Sequence, residues 1–573
     1  MATEEKLREY LKRATADLTE ARRRLQDAEE AQHEPLAIVG MACRYPGGAT
    51  LEDYWQLLST GSSGVVEVPA ERWDVNQHYN PDRRVVGGVY TRHGAFLPDI
   101  AGWDAEFFGI APHEALRMDP HQRLLMELVC DGLDDAGMAA SSLAGSRTGV
   151  LVGLMDSSQY GRLEIEQYGQ DVVGDPYFGQ GVAASVIAGR LAYQFDLRGP
   201  AITLDTACSS SLVAVHLAAQ ALRRDDCDLA VAAGVYLIMH PDTYVQSCAT
   251  SMLAPDGRCK TFDSGADGYV IGEGGGLVVL QRLSDAVRAG SRIRGVLLGS
   301  AMNQDGHSNG LSAPSRSAQV EVIQQALADA RIDPDTVDYV EAHGTGTRLG
   351  DAIELSALHD VFGGRSAQRP LHVGAVKTNI GHTQSAAGVA GLIKTVLLLE
   401  HGQAPANLNT SEPAAAIPPD GTIRPLTVPA RLPSDNGRPV AGVSGFGWSG
   451  TNAHLVVQAA PTPPPAQPAE LRSAYPLPVS AASPAALQAQ LQRLSDRLAE
   501  LPGLALTDVA HTLDVGRTEH DYRRALVCAD PADAARRLAD AAAGGTAASR
   551  VKTRPRVAFL LPGVGDEYPG LGR

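Results

Sequence analysis

The sequence predicts an α/β protein, with a leading amphipathic helix and a small α/β domain at its end. From about residue 36 to about residue 458, short apolar runs alternate with helical stretches, which is typical of an α/β domain. A proline-rich stretch, Pro461 to Pro468, marks a boundary after this region. At 573 residues the chain is too long for one hydrophobic core, because such cores stop growing at roughly 250 to 300 residues.

Charge and cysteine content exclude several classes of function. The 49 basic and 66 acidic side chains give a formal charge of −17, which argues against a nucleic acid or an anionic membrane as the main partner. The seven cysteines include no C-x-x-C pair, so we expect neither a disulfide framework nor a metal site. No signal sequence is present and no stretch approaches 18 uninterrupted apolar residues, so we expect a cytoplasmic protein that spans no membrane.

The pattern of apolar residues over residues 1–31 predicts a helix with the seam of a coiled coil. Apolar or small residues recur along it in alternating steps of four and three, with leucine at one seam position (Leu11, Leu18 and Leu25) and alanine at the other. A solvated single helix is the alternative. We expect two chains to pair here, because isolated helices of this length are marginal in water.

In the large domain, apolar runs predict strands and longer periodic stretches predict helices. The strand candidates are Leu36 to Val39, Gly149 to Val152, Ala201 to Leu204, Leu229 to Leu237, Leu277 to Leu280, Val296 to Gly299, Val337 to Val340, Leu371 to Val376 and His454 to Val457. The helix candidates are His121 to Ala136, Val182 to Tyr193, Ser209 to Leu222, Ser315 to Ala330, Asp351 to Val361 and Ser385 to His401.

After a linker at residues 460–474, a small α/β domain is expected at residues 475–553. Its predicted elements are the strands Leu477 to Ser480 and Ala525 to Cys528 and the helices Pro484 to Glu500 and Pro531 to Ala542. Val557 to Leu561 predicts one more strand. Residues 554–573 therefore look like the start of a further domain.

A candidate nucleophile lies between a predicted strand and a predicted helix. Cys208 follows the apolar run Ile202 to Leu204 and precedes the helix-forming run Leu212 to Leu222. A cysteine at a helix N-terminus has its thiolate favoured by the helix dipole and by unpaired backbone N–H groups. Taken alone, a buried cysteine is more often inert packing, but the small residues around Cys208 leave room for an acyl chain.

Two histidines and a glycine-rich segment occupy similar positions. His343 follows the apolar run Val337 to Val340, and His382 follows a strand candidate that runs into a glycine turn. A lone histidine is more often structural, but ligands of α/β folds bind at strand ends, where both of these lie. The segment Gly445 to His454 is predicted as a loop whose backbone N–H groups face a developing oxyanion.

Two further motifs are set aside. Gly306 to Gly310 matches the G-H-S-x-G nucleophile elbow, but it lies in a polar loop, whereas an elbow needs a strand before it and a helix after it. Gly272 to Gly276 has no P-loop lysine and is interpreted as a turn that enters a buried strand.

These motifs together resemble the β-ketoacyl synthases of the thiolase-fold superfamily, specifically the ketosynthases of modular type I polyketide synthases. Leu36 to Gly48 resembles the opening of the family, Asp119 to Leu125 its dimer-side helix start, and Asp205 to Leu212 its nucleophile motif. His343, Lys377, His382 and Asn452 lie at the expected motif positions.

The resemblance implies a domain order as well as a fold. Residues 34–459 would form a thiolase-like five-layered αβαβα domain. Residues 4–30 resemble docking coiled coils that receive an upstream synthase subunit. Residues 475–553 resemble the adaptor between a ketosynthase and an acyltransferase, and residues 554–573 resemble the opening of that acyltransferase.

The resemblance also implies an acyl-transferring enzyme that performs a decarboxylative condensation. Cys208 would carry the acyl chain, and His343 and His382 would stabilise the enolate formed when a malonyl-type extender loses carbon dioxide. The backbone N–H groups of Cys208 and Trp448 would donate to the oxyanion, and a Lys377–Glu354 pair would orient the histidines. Asp351 would support the same loop, and Phe446 would act as a gate. Thr345 and Thr347 would bind the phosphopantetheine arm, and Asn452 would bind substrate.

The implied partners are a second copy of the chain, an upstream synthase subunit, an acyl carrier protein and an acyltransferase domain. No cofactor would be bound directly, since the phosphopantetheine arm belongs to the carrier protein. Two residues depart from the family pattern: Trp448 stands where a smaller residue is more usual, and Val564 interrupts a G-Q-G-like sequence.

Three other functions can be compared with this one from the sequence. A papain-like hydrolase is conceivable from a cysteine and a histidine, but the sequence pattern next to its cysteine is absent. A silent docking or gatekeeping module would pass acyl chains without extending them. A thiolase would typically have a second cysteine near the C-terminal glycine-rich segment, and Gly442 to His454 contains none.

Overall fold

The computed structural model describes residues 2–432, 437–462, 472–501, 503–544 and 549–550. The chain divides into two compact units, Met1–Pro465 and Ala466–Arg573, and the division falls inside the stretch expected to be a linker. The strand predicted at Val557 to Leu561, the position of Val564 and the remainder of residues 554–573 lie outside the described residues.

The strands of the described residues are as follows. They are β1 (Leu36–Arg44), β2 (Val65–Glu67), β3 (His93–Ala95), β4 (Thr148–Leu154), β5 (Ala201–Leu204), β6 (Leu229–Tyr236), β7 (Gly274–Arg282), β8 (Gly295–Gln304), β9 (Val337–Glu341), β10 (Leu371–Gly374), β11 (Gln403–Ala404), β12 (Ile423–Pro425), β13 (Ala430–Arg431), β14 (Val440–Phe446), β15 (Thr451–Ala459), β16 (Tyr475–Ala481), β17 (Tyr522–Cys528) and β18 (Ser549–Arg550).

The α-helices are also given in chain order. They are α1 (Ala2–Gln32), α2 (Leu51–Ser59), α3 (Pro112–Arg117), α4 (Pro120–Asp135), α5 (Gln159–Tyr168), α6 (Phe178–Val182), α7 (Ala184–Gln194), α8 (Ser210–Arg223), α9 (Asp242–Ala249), α10 (Leu283–Ala289), α11 (Arg316–Ala330), α12 (Arg348–Phe362), α13 (Lys377–Ile380), α14 (Ala387–His401), α15 (Pro484–Glu500), α16 (Leu506–Val515) and α17 (Pro531–Ala543).

Helix α1 leaves its apolar seam uncovered in the single chain. Leu11, Leu18 and Leu25 are 52% to 70% exposed, as expected of a helix whose partner is another molecule. Its C-terminal end is attached to the large domain, because the guanidinium of Arg331 donates to the Glu29 carbonyl. Pairing with a second chain stays a prediction.

The large unit is built on an 11-stranded sheet that consists of two halves. The strand order is β12-β10-β9-β14-β15-β8-β1-β7-β6-β4-β5. The halves meet where β1 pairs with β8, and this junction comprises the three residue pairs from Leu36 with Leu297 to Ile38 with Gly295. So short a junction leaves most of the contact between the halves to the helices.

The two halves repeat one topology. In the first half β5, β4 and β6 run parallel, and β7 runs antiparallel to its neighbours β6 and β1. In the second half β10, β9 and β14 run parallel, and β15 runs antiparallel to its neighbours β14 and β8. Strand β12 extends the second half, parallel to β10. Each half therefore offers two equivalent strand ends for functional residues.

The helices form three layers around these halves. Helices α8 and α14 contact strands of both halves and form the middle layer. Helices α4, α7 and α10 pack on the first half, and α11 packs on the second with α12 against it. Ala387 to Leu399 of α14 are buried on every face, as expected of a helix between two sheets. The arrangement has the five αβαβα layers that the resemblance implied.

The segment Gly445 to His454 corrects the sequence analysis, because it is a β-hairpin and not a loop. The sequence analysis missed strand β14, whose glycines are required by close packing. A Cβ on Gly445 would lie 2.9 Å from Leu212 Cδ1, and one on Gly442 would lie 2.7 Å from His454 Nε2. The predicted strands of the large domain are present, Ala201 to Leu204 with the predicted ends and the others with ends that differ. Among the described residues, no helix is long and apolar enough to cross a membrane.

The second unit has its own core. Strands β16, β17 and β18 form an antiparallel sheet, and helices α15 and α17 pack against each other and against the sheet. Leu477 and Leu538 are fully buried in this core. The predicted strands and helices are present, and α16 is an additional helix that the sequence analysis missed.

Candidate active site

Cys208, His343 and His382 line one cavity of about 530 Å³ in the large unit. The residues come from three separate strand ends, after β5, β9 and β10 respectively. The other predicted site residues that line the cavity are Thr345, Thr347, Glu354, Phe446 and Trp448. Lys377 and Asn452 are buried close by but are not among the lining residues.

Cys208 lies in a single 3₁₀ turn, Ala207–Ser209, between β5 and α8. Ala207 adopts a left-handed backbone with a φ of 58°, and its N–H donates to Asp205 Oδ1 at 2.8 Å. This turn places the cysteine directly before the first turn of α8, where backbone N–H groups have no partner within the helix.

Burial raises the pKa of the Cys208 thiol, against the lowering effect of the Lys377 ammonium and of the backbone N–H groups of Trp448 and Cys208. The sequence analysis expected the helix N-terminus to favour the thiolate. Loss of water outweighs that effect, so the resting group is a thiol. The two N–H groups close to the sulfur are the two that the resemblance named as oxyanion donors.

Both imidazoles accept a backbone hydrogen bond at Nδ1. The Gln384 N–H donates to His382 Nδ1 at 3.1 Å, and the Phe446 N–H donates to His343 Nδ1 at 3.4 Å. Burial lowers the pKa of His343 and of His382 well below the usual range, and the Lys377 charge lowers it further. The rings are therefore neutral, and because Nδ1 is an acceptor the proton lies on Nε2.

The two rings form a pair of hydrogen-bond donors. Their centroids are 5.5 Å apart and their planes are nearly perpendicular, at 84°. The backbone of His382 is fixed by its N–H, which donates to the Val270 carbonyl at 2.7 Å. Two neutral N–H donors on one cavity are suited to an oxygen that gains negative charge during a reaction.

Glu354 supports His343 through the main chain. Its Oε1 and Oε2 accept the N–H groups of His343 and Gly344 at 2.7 and 2.8 Å. The implied Lys377–Glu354 ion pair is not formed: within the described residues no salt bridge within 4.0 Å joins Lys377 to Glu354. The two groups still influence each other at longer range, because the Lys377 ammonium opposes the rise that burial causes in the pKa of Glu354.

Asp351 holds the segment that follows His343. Its carboxylate accepts the N–H groups of Phe262 and Gly346 at 2.8 and 3.1 Å, and burial raises the pKa of Asp351 to about 7. Beyond it the hydroxyls of Thr345 and Thr347 lie 3.0 Å apart, on the cavity wall.

Asn452 occupies a different place from the one implied. Its Nδ2 donates to Asp305 Oδ1 at 2.8 Å and to Asn303 Oδ1 at 3.2 Å, and Asp305 is the member of this group that lines the cavity. Phe446 packs 5.7 Å from the His343 ring, whereas the Trp448 side chain is 52% exposed.

Sequence reasoning missed Tyr269 and Gln384, which also line the cavity. Tyr269 packs edge-on against His382, with ring centroids 5.0 Å apart. Gln384 accepts a hydrogen bond from Cys208 Sγ, with a distance of 3.7 Å to Oε1. The only signal for Gln384 in the sequence is its position two residues after His382.

Family models match most of the chain. The β-ketoacyl synthase N-terminal domain matches residues 33–286, and its C-terminal domain matches residues 294–411. The erythronolide synthase docking domain matches residues 2–30, and a CurL-like polyketide synthase C-terminal model matches residues 475–538.

Similar proteins belong to polyketide synthases. The pikromycin polyketide synthase component PikAIII of Streptomyces venezuelae is 45% identical over 99% of this chain, and polyketide synthase GfsB of Streptomyces halstedii is 46% identical over all of it. The chain spans 37% and 11% of the lengths of these two relatives.

Solved structures agree with this relationship. The ketosynthase from module 6 of the bacillaene synthase of Bacillus subtilis 168 is 36% identical, with a TM-score of 0.81 over 89% of this chain and 86% of that one. The oxazolomycin ketosynthase domain OzmH KS7 of Streptomyces albus JA3453 is 35% identical, with a TM-score of 0.82 over 89% of both chains. The thiolase-like fold is thereby confirmed, and the chain belongs to the β-ketoacyl synthase family, among the ketosynthases of modular type I polyketide synthases.

Proposed function

We propose that the chain condenses an acyl group held as a thioester on Cys208 with a malonyl-type extender on an acyl carrier protein, which gives a β-ketoacyl thioester. The observation that carries this proposal is the shared cavity, which is lined by one thiol and by two neutral imidazoles that each accept a hydrogen bond at Nδ1 and keep a proton on Nε2. Such a set supplies one nucleophile and two oxyanion donors.

Acylation uses the nucleophile of the first half and one backbone donor from each half. The Cys208 sulfur attacks the carbonyl carbon of the incoming thioester. The bond between that carbon and the carrier's pantetheine sulfur breaks, and the thiol proton passes to the departing sulfur. The tetrahedral oxyanion is stabilised by the backbone N–H groups of Cys208 and Trp448, which already approach the sulfur in the resting site. No charged base is required, since the proton moves from one thiol to another.

Decarboxylation uses the second half. When the extender loses carbon dioxide, negative charge moves onto its thioester oxygen, and the Nε2–H groups of His343 and His382 stabilise that enolate. The enolate carbon then attacks the carbonyl carbon of the Cys208 thioester, the bond from that carbon to Sγ breaks, and the departing thiolate takes a proton from water. Glu354 acts only through the backbone of His343 and Gly344, whose N–H groups it accepts.

Substrate delivery uses residues of the cavity wall. Thr345 and Thr347 hydrogen-bond the phosphopantetheine arm, and Asn452 acts through Asp305, a lining residue to which its Nδ2 donates. Phe446 acts as the gate beside His343, since its ring packs 5.7 Å from that imidazole. We assign the arm to the carrier protein, so the chain itself binds no resident cofactor.

The proposed domain order is a docking helix at residues 1–31, a ketosynthase at 34–459, a linker at 460–474, an adaptor at 475–553 and the start of an acyltransferase at 554–573. The exposed leucine seam of α1 supports pairing with a second copy and reception of an upstream subunit. Edge strand β5 supports a second dimer contact, because Ile202 is 44% exposed on it.

The direct test combines the protein with an acyl thioester and a malonyl-loaded carrier protein and detects the β-keto product by mass spectrometry. We expect product from the wild-type chain and from Cys227→Ala, a buried free cysteine that does not line the cavity. We expect none from Cys208→Ala. Transfer of the acyl group through Cys208 without extension would favour a silent gatekeeping module instead.

A further inference from the structure

Gln384 connects the nucleophile to one of the two imidazoles. Its main-chain N–H donates to His382 Nδ1 at 3.1 Å, and its side-chain Oε1 accepts from Cys208 Sγ at 3.7 Å. The second distance is ordinary for a weak hydrogen bond from sulfur. One residue therefore contacts both the thiol and the ring that acts beside it.

The backbone at Gln384 is strained. Its φ of 49° lies in the left-handed region, which residues other than glycine rarely adopt and which persists only where the surroundings enforce it. Gln384 is 4% exposed, and it is the first residue of the short 3₁₀ turn that leads into α14. A buried, strained glutamine at the wall of a reaction cavity indicates a functional constraint.

Gln384 also acts on Tyr269, which packs against the His382 ring. The Tyr269 hydroxyl donates to Met252 Sδ at 3.9 Å, and burial raises the pKa of Tyr269 to about 12 against the lowering effect of the Ser247 and Gln384 side chains. The carboxamide atom that accepts from the Cys208 sulfur is Oε1, so Nε2 is left for partners other than the thiol.

We propose that Gln384 is a positioning residue for both halves of the site: its main chain keeps the His382 proton on Nε2, and its carboxamide holds the Cys208 thiol proton and aims the sulfur. The carboxamide only accepts this hydrogen bond. The proton stays on sulfur until acyl transfer, when it passes to the departing pantetheine sulfur. The contact with the thiol is independent of the reaction, whereas the effect on acylation rests on the proposed function.

Other groups also act on the sulfur. They are the Lys377 ammonium, the Asp205 carboxylate, the Tyr269 phenol and the backbone N–H groups of Trp448 and Cys208. The imidazoles of His343 and His382 line the same cavity. A test that reads only the pKa of the thiol would mix their effects with a change in local water. The S–H vibration reports the hydrogen bond itself.

The experiment measures the infrared S–H band of Cys208, isolated by subtraction of the spectrum of Cys208→Ala. We expect Gln384→Leu to move this band to higher wavenumber, because the thiol loses its acceptor. Gln384→Met, a flexible apolar replacement, gives the same comparison if the leucine variant does not fold. The control Gln281→Leu alters a half-buried glutamine away from the cavity, which accepts from Ser291, and should leave the band in place.

The second readout separates the two partial reactions. We expect Gln384→Leu to slow acylation of Cys208 by about tenfold, because the sulfur is no longer held in its orientation. Extender decarboxylation should change less than about twofold, since the main-chain N–H of residue 384 still donates to His382 Nδ1. An unmoved S–H band in a folded variant would overturn the proposal. So would a moved band with unaltered acylation, or equal losses in both steps. A wild-type chain that fails to condense would refute the proposed function without changing the band.

Discussion

The two halves of the large sheet have the same strand order and carry different chemistry. In the first half the chain leaves β5 and enters α8 at Cys208. In the second half the equivalent strand β10 leads through His382 into α14. The other pair of equivalent strands, β4 and β9, ends beside Met155 and His343, and both of these residues line the cavity.

The comparison shows that the shared topology places residues at equivalent strand ends, and that the type of residue at each strand end determines its chemical role. The first half provides the nucleophile and its own N–H group, and the second provides two neutral side-chain donors together with the Trp448 N–H, which lies between β14 and β15. The middle helices α8 and α14 contact both halves, so neither set of residues can shift without the other. Because acylation and decarboxylation use different chemical groups, mutation should separate the two partial reactions although they share one cavity.

The largest expected effect separates the halves directly. Cys208→Ala should abolish the acyl-enzyme while extender decarboxylation continues. His343→Ala and His382→Ala should still form the acyl-enzyme, and decarboxylation should fall by about 10² to 10³-fold, the usual loss for one oxyanion donor. Intact-mass spectrometry of the protein and of the carrier follows both steps.

The assignment of roles would fail if either histidine variant lost acyl-enzyme formation as completely as Cys208→Ala does. Thermal unfolding of each variant serves as the control for folding.

A second effect concerns stability in the donor half. Burial raises the pKa of Asp351 to about 7, so the folded state holds a proton that the unfolded state, near 4, has already released. Stability from this group is complete below about pH 4 and is lost as pH rises toward 7. Relative to wild type, Asp351→Asn should therefore gain about 3 kcal/mol between pH 5 and pH 8, since each pKa unit is worth about 1.4 kcal/mol.

Denaturant unfolding at the two pH values measures this gain. A constant difference between the two proteins would show that Asp351 is ionised in the folded state throughout that range.

A third effect crosses from one half to the other. Lys377 belongs to the donor half, but its ammonium lowers the pKa of Cys208 against the effect of burial. Lys377→Met should raise that pKa further and slow alkylation of Cys208 by iodoacetamide at pH 8 by about tenfold, because a smaller fraction of the thiol is then ionised. Peptide mass spectrometry distinguishes Cys208 from the other cysteines.

Lys260→Met is the matched control, because Lys260 pairs with Asp256 and Asp267 and does not line the cavity. Faster alkylation in Lys377→Met would mean that the ammonium does not act on the sulfur.

The smallest expected effect is a near-absence of pH dependence. The pKa values of His343 and His382 lie well below the usual range, so both rings stay neutral as pH falls. Extender decarboxylation should change less than about twofold between pH 7.5 and 6.0, whereas an ordinary histidine with a pKa of about 6.5 would be only about one-quarter neutral at pH 6.0. A midpoint near 6.5 in the rate profile would contradict the neutral assignment.

The strand ends that carry Cys208, His343 and His382 could be predicted because apolar runs and glycine turns mark them in the sequence. Strand β14 could not, since its glycines resemble turn residues and are required by the approach of Leu212 and His454 from elements distant in sequence. The repeated topology was missed for a similar reason: the two halves share strand directions and order, which no local pattern of residues reports.

Side-chain partners were the least predictable part of the site. The expected partner of Glu354 was a lysine, and its observed partners are two backbone N–H groups. The left-handed backbone of Gln384 also leaves no mark in the residue type. Both features depend on tertiary contacts, which decide hydrogen bonding once local structure has formed.

The neutral state of the paired imidazoles affects the lifetime of the carbon nucleophile. A cationic imidazolium beside the enolate would be a strong enough acid to protonate its carbon and end the reaction as a simple acetyl group. An uncharged ring that offers only its Nε2 hydrogen is a very weak acid, so it can steady the oxygen while the carbon remains free to form a bond. The burial that keeps both rings neutral therefore also prevents them from protonating the enolate carbon.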